Sequence, residues 1–297
     1  MLFLYDIPFR RKSQLDIGNP AVYNKLYFFY YSVSAGKEGS EMQEVNVRNL
    51  TIGRGRPAVC IPLTPSCEEE LAVQLACAVQ SPADMWEWRM DYLPSSAPFD
   101  RICAKIREAA GDRPLLATFR TRTEGGMRVF STEEYLRTYD AAIRSGADLA
   151  DVEWSLGPEI LHAVKETVSS RHVPVVVSRH YFDRTPSVQE MLDVLQGMDD
   201  TDGDISKLAV MPQTAQDVLD LMEVSARFGA SGPRKPYITL SMGSLGRVTR
   251  LACDITGSSI TFAAAYAASA PGQMSAESVS AFLSSGAIQT ERKQNRR

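Results

Sequence analysis

The chain has 297 residues, 44% of them hydrophobic and 23% charged, with a formal net charge of -4 and no long run of one sign. That is enough apolar material for a large core, and nothing in the charge recommends nucleic acid or an anionic membrane as a partner. A small molecule is the expected ligand.

The opening MLFLYDIPFRRK has an apolar run too short for a signal peptide. The aromatic stretch Leu26–Tyr31 is far shorter than the roughly 20 residues of a membrane helix. The five cysteines (Cys60, Cys67, Cys77, Cys103 and Cys253) include no C-x-x-C pair and have no histidine cluster nearby. They suit free thiols in a reducing cytosol rather than disulfides or a zinc site. A cytoplasmic protein without metal or cofactor is expected.

Residues 1–43 follow no periodic pattern and are read as an N-terminal extension: disordered, packed on the next domain, or preceding a start at Met42. Val45–Gly53 (VNVRNLTIG) is strand-like and is expected to form a hairpin closing a barrel floor.

From residue 57 one grammar repeats: a short apolar run, a polar loop, a longer amphipathic segment. The runs are AVCIPL (58–63), DMWEWRMDYL (84–93), PLLATFR (114–120), ADLADVEW (147–154), VPVVVSRH (173–180), DISKLAVM (204–211), PYITLSM (236–242) and SSITFA (258–263). Helices are expected between them, among others Glu68–Val79, Thr132–Ser145, Ser187–Leu195 and Ala215–Phe228. Ser131, with Glu134 three residues on, reads as a helix start.

Alternating strands and helices imply parallel βαβ units, and eight of them fit a closed α/β (β/α)8 TIM barrel better than an open sheet. No G-x-G-x-x-G follows the first strand, which argues against a dinucleotide-binding sheet. The expected domain is a single catalytic barrel over 44–290, followed by a polar tail over 291–297.

Side chains alternate across a strand, so one parity faces the barrel axis. One parity of the second run carries Glu87, Arg89 and Asp91, and the third run ends at Arg120. The fourth run carries Asp151 and Glu153, the fifth Ser178 and His180, and the sixth Lys207, opposite in parity to Leu208 and Val210. Singly, each has a structural reading: Glu87 with Arg89 as an ion pair, His180 as a satisfied core histidine, Lys207 as an edge lysine. Together they put charge near the C-terminal ends of five successive strands, where barrel enzymes build their sites. A lysine in a dry barrel mouth near Arg89, Arg120 or Arg250 is disfavoured as an ammonium. Its neutral amine can attack a ketone, and a histidine is suited to move a proton at the neighbouring carbon.

With these residues in place, the chain resembles the type I dehydroquinate dehydratases over roughly residues 45–288. E-W-R-M-D at Glu87–Asp91 looks like the family's E-x-R-x-D, and Thr118–Arg120 followed by Glu124-Gly125-Gly126 looks like its third loop. S-R-H-Y-F at Ser178–Phe182 resembles the histidine motif, and Lys207 follows His180 by the family's interval of 27 residues. S-M-G-x-x-G-x-x-x-R runs from Ser241 to Arg250, and Thr261-Phe262 precedes S-A-P-G-Q at Ser269–Gln273. The departures are Arg179 and Tyr181, which flank His180, and the N-terminal extension.

The resemblance implies an imine between Lys207 and the ketone of 3-dehydroquinate. It implies His180 as general acid and base, assisted by Glu124, and Arg250 on the substrate carboxylate. Glu87, Arg89 and Arg120 would hold ring hydroxyls and tune charge. Ser269 and Gln273 would lie on a closing loop, with Met242 and Phe262 as apolar walls. It also implies a homodimer. Two other readings stand beside it: another Schiff-base barrel of the class I aldolase type, and a ligand-sensing module that keeps the fold without the chemistry. The first lacks the His180-to-Lys207 interval with the S-A-P-G-Q loop, and loss of the lysine or histidine would favour the second.

Overall fold

The computed structural model describes residues 42–169, 171–266 and 272–285. The expected extension, up to residue 41, and the tail 291–297 lie outside them. Eight parallel strands run in the order β10-β3-β4-β5-β6-β7-β8-β9. They are β3 (Ala58–Leu63), β4 (Met85–Arg89), β5 (Leu115–Thr118), β6 (Leu149–Glu153), β7 (Val175–Tyr181), β8 (Ile205–Val210), β9 (Tyr237–Ser241) and β10 (Ile260–Phe262). The helices between and after them are α1 (Glu68–Gln80), α2 (Phe99–Ala110), α3 (Thr132–Arg144), α4 (Pro158–Ser169), α5 (Val188–Asp199), α6 (Ala215–Ala230), the short α7 (Cys253–Thr256) and α8 (Ala276–Ser284).

The barrel closes between β9 and β10 without a regular ladder. The Ser259 N–H donates to Tyr237 O at 2.8 Å, and the Thr239 N–H donates to the Ser258 hydroxyl at 3.0 Å. A side chain thus fills the place of a backbone acceptor at the seam.

Strand parity sorts the core as the alternation predicts. Trp86, Trp88, Leu115, Ala117, Val152, Val175, Leu208 and Val210 pack outward with the helices. Helix α2 shows the matching pattern, burying Phe99, Ile102, Cys103, Ile106 and Ala110 along one stripe. The opposite parity fills the axis. Met85, Leu116, Leu149, Val176, Ile205, Ile238 and Ile260 form one inner cluster with Val45, Val47 and Ile52. The last three belong to the antiparallel pair β1 (Val45–Val47) and β2 (Leu50–Ile52), the hairpin expected at the barrel floor. Its turn holds Arg48 at a φ of 52°, and the Arg48 side chain ties the hairpin to Asp148, before β6, at 2.6 Å.

Most expected strands run one to five residues past the observed ladder. The 84–93 run ends as a strand at Arg89, because its neighbour's last paired residue is Thr118, and Met90–Tyr92 turns into a 3-10 helix. The Ser131 hydroxyl caps α3 by accepting from the Glu134 N–H at 3.2 Å. The Glu134 carboxylate does not complete the box, because it pairs with Arg128 at 2.9 Å.

Candidate active site

Above the apolar floor the inward parity changes character. Glu87, Thr118, Asp151, Ser178 and Lys207 follow the floor residues by two positions on β4 to β8, all buried. Cross-strand register puts Asp151 beside Thr118 and Ser178 beside Lys207. Arg89, Glu153 and His180 lie two positions further on, nearer the C-terminal ends of β4, β6 and β7. This charged layer is confined to the end of the barrel where enzymes of this architecture react.

Two basic side chains share one carboxylate there. Asp151 accepts from Arg120 at 2.7 Å and from Lys207 Nζ at 3.0 Å, and the Ser178 hydroxyl donates to it at 2.6 Å. Burial opposes the charge on Asp151, but Arg120, Lys207 and Ser178 hold its carboxyl well below the usual range. Arg120 also donates to Glu153 at 3.0 Å and to Ser178 at 2.9 Å, both through Nη1. Glu87 lies 3.5 Å from the Lys207 amine and accepts from Thr118 at 2.9 Å. The nearest charged groups to Lys207 are therefore carboxylates, where cationic neighbours were expected. The amine also sits 4.4 Å from the ring centroid of Phe262.

His180 stands opposite Ala209, two residues past Lys207 on the neighbouring strand, where the small side chain leaves space above the amine. Glu124 fixes the imidazole. Its Oε2 accepts the His180 backbone N–H at 2.9 Å and lies 3.1 Å from Nδ1, while Oε1 accepts from Arg179 at 2.7 Å and from Ser155 at 2.5 Å. Burial works against the Glu124 charge, yet the hydrogen bond and charge of His180, with Arg120 and Ser155, hold its carboxyl at about 2. Burial, reinforced by Arg120 and Lys207 and opposed by Glu124, pushes His180 down to about 3, so its ring is neutral at neutral pH. With Glu124 ionised, Nδ1 carries the proton and Nε2 keeps a lone pair.

Arg250 comes from the tight turn after β9. Gly246 allows that turn, since a Cβ there would sit 2.2 Å from the Ser241 carbonyl oxygen. The arginine is 1% exposed, donates to Phe262 O at 3.0 Å, and is pushed down to about 10 by burial.

Glu87, Arg89, Arg120, Glu124, His180, Lys207, Met242, Arg250, Phe262 and Gln273 all line one cavity with about 580 Å³ of empty space, open to solvent. Ser269 lies outside the described residues. Arg89 is turned partly into structure, forming a bidentate pair with Asp91 at 2.8 and 2.9 Å. Asp151, Ser178 and Glu153 were visible as inward polar residues but had no assigned role. Phe182, which stacks on the His180 ring at 6.4 Å, carried no signal beyond its motif.

A lysine amine, an imidazole with a free ring nitrogen and arginines at the C-terminal mouth define a (β/α)8 barrel equipped for carbonyl chemistry. The family model for type I 3-dehydroquinase matches residues 59–289. A 3-dehydroquinate dehydratase of Bacillus licheniformis is 38% identical over 236 residues, covering 78% of this chain and 93% of that protein. The type I 3-dehydroquinate dehydratase of Clostridium difficile, solved with covalently modified comenic acid, superposes with a TM-score of 0.77 at 33% identity, over 82% of this chain and 97% of that one. The enzyme of Geobacillus kaustophilus gives the same TM-score and identity over 84% and 98%. The chain belongs to the type I 3-dehydroquinase family.

Proposed function

We propose that this chain dehydrates 3-dehydroquinate to 3-dehydroshikimate, the shikimate-pathway reaction of its family, through an imine on Lys207. One observation carries the assignment of roles: a buried lysine amine and a neutral, carboxylate-anchored imidazole on adjacent strands of one cavity. The Lys207 amine condenses with the substrate ketone and releases water. The positive iminium acidifies the adjacent carbon, and His180 Nε2 removes that proton. The electron pair left on carbon expels the neighbouring hydroxyl, which leaves as water with the proton that His180 returns. Hydrolysis of the imine frees the product and the amine.

Glu124 keeps the imidazole in the tautomer that presents Nε2 and stabilises it while protonated, and Asp151 with Glu87 balances charge at the iminium. Arg250 is the cation for the substrate carboxylate, with Arg89, Arg120 and Gln273 toward its hydroxyls and Met242 and Phe262 as apolar walls. Ser269 belongs to the same reading as a loop contact. So do a homodimer and a cytoplasmic location, which the family resemblance supports. Among the described residues no helix is long and apolar enough to cross a membrane.

Borohydride reduction in the presence of 3-dehydroquinate, followed by peptide mapping, tests the mechanism. A reduced adduct is expected on Lys207, and Lys207→Ala should lose both adduct and turnover. Dehydration at a near wild-type rate by that variant would sink the imine route.

A further inference from the structure

Arg179 lies between Ser178 and His180 on β7. Its parity on β7 is that of Val175 and Val177, which pack away from the barrel axis. Its guanidinium nevertheless reaches Glu124 Oε1 at 2.7 Å, while the other oxygen of that carboxylate holds His180. One carboxylate thus joins Arg179 to the imidazole. From its other side Arg179 is braced: it lies 4.8 Å from the ring centroid of Tyr181, which Arg184 also covers at 5.1 Å, and Arg184 is paired with Glu190 at 2.7 Å.

The other charges around His180 are already committed. Arg120, from the end of β5, is matched by Asp151 and Glu153 of β6, and Lys207 of β8 by Asp151 and by Glu87 of β4. Arg120 also lies 3.7 Å from Glu124 Oε2, the oxygen that holds His180; Arg179 differs in taking the other oxygen, Oε1, at hydrogen-bond distance and in not being among the residues lining the cavity.

We propose that Arg179 is a positioning residue for the reaction above: by pairing with Glu124 it weakens that carboxylate's pull on a proton at His180 and so tunes the basicity of the imidazole. This rests on the reading of His180 as the acid and base. Removing a cation raises the proton affinity of the Glu124–His180 pair, whichever atom carries the proton. The Arg179 side chain is 28% exposed, so water and salt screen part of the effect.

The test follows the His180 ring by NMR titration of the free enzyme, in wild type, Arg179→Gln and Arg179→Lys. The chain has only three histidines, His162, His172 and His180, so the resonance is assignable by its loss in His180→Gln. The midpoint is expected at higher pH in Arg179→Gln and back near wild type in Arg179→Lys. The acid limb of kcat should move the same way, with the plateau within roughly fivefold of wild type, the range of a partly exposed ion pair. A folded Arg179→Gln whose midpoint is no higher, or that shows no titration, overturns the proposal. If the ring midpoint rises while the acid limb stays, the coupling through Glu124 stands and the acid–base reading of His180 is what fails.

Discussion

Around Asp151 every buried charge has a counter-charge and every carboxylate has hydrogen-bond donors. Such a network is stable only when complete, because a buried charge left unpaired costs about 3–5 kcal/mol. His180 is the member whose proton balance differs most between folded and unfolded chain. Burial, with Arg120 and Lys207, moves it from an ordinary 6.5 to about 3, and Glu124, against its own burial, is held from 4.5 to about 2 by His180, Arg120 and Ser155. The unfolded chain therefore takes up protons at both sites at pH values where the folded protein refuses them. Stability from these groups is fully present above pH 6.5 and is lost as pH falls through that window. Urea midpoints measured from neutrality to about pH 4 should fall, and His180→Gln should flatten the upper part of that fall. A drop of equal steepness in the variant would mean that His180 titrates normally in the folded state. The inward parity of Asp151, Ser178 and Lys207 could be read from alternation alone. The sharing of Asp151 by Arg120 and Lys207 could not, since those residues meet across three strands.

At the scale of elements, the loop after β5 decides whether Glu124 reaches His180. Arg122–Glu124 form a 3-10 turn, Gly125 adopts a left-handed φ of 83°, and Gly126 N–H donates to Thr121 O at 2.7 Å. A Cβ at Gly126 would lie 1.8 Å from the Arg120 carbonyl oxygen, a contact only backbone movement can relieve. Gly126→Ala is expected to displace Glu124 and lower kcat by on the order of a hundredfold, the effect of misplacing a catalytic group by about 1 Å. Steady-state kinetics on a variant shown to be folded checks this, and an unchanged kcat would mean that the loop adapts without moving Glu124. The sequence shows the two glycines, but which backbone atoms they must clear depends on how the loop folds back on the end of β5.

For the molecule as a whole, the barrel is capped from below by apolar residues of β1 and β2, and its inward-facing charged side chains lie toward the opposite mouth. All eight strands and every described cavity residue lie after Met42. A chain starting at Met42 is accordingly expected to keep wild-type kcat and KM, and a large loss of either would assign the first 41 residues a part in the site.

The sequence by itself determined the alternation of strands and helices, the parity that faces the axis, and the order and spacing of the motifs. These are local properties, written in the period of two for strands and in chain distance. Only the tertiary structure decided that carboxylates rather than arginines flank Lys207, that Arg250 is buried, that Ser258 helps close the barrel, and that Arg179 reaches Glu124. The physical reason is that each of these depends on which strands become neighbours and where their ladders stop. Side chains distant in the chain meet only after that geometry exists.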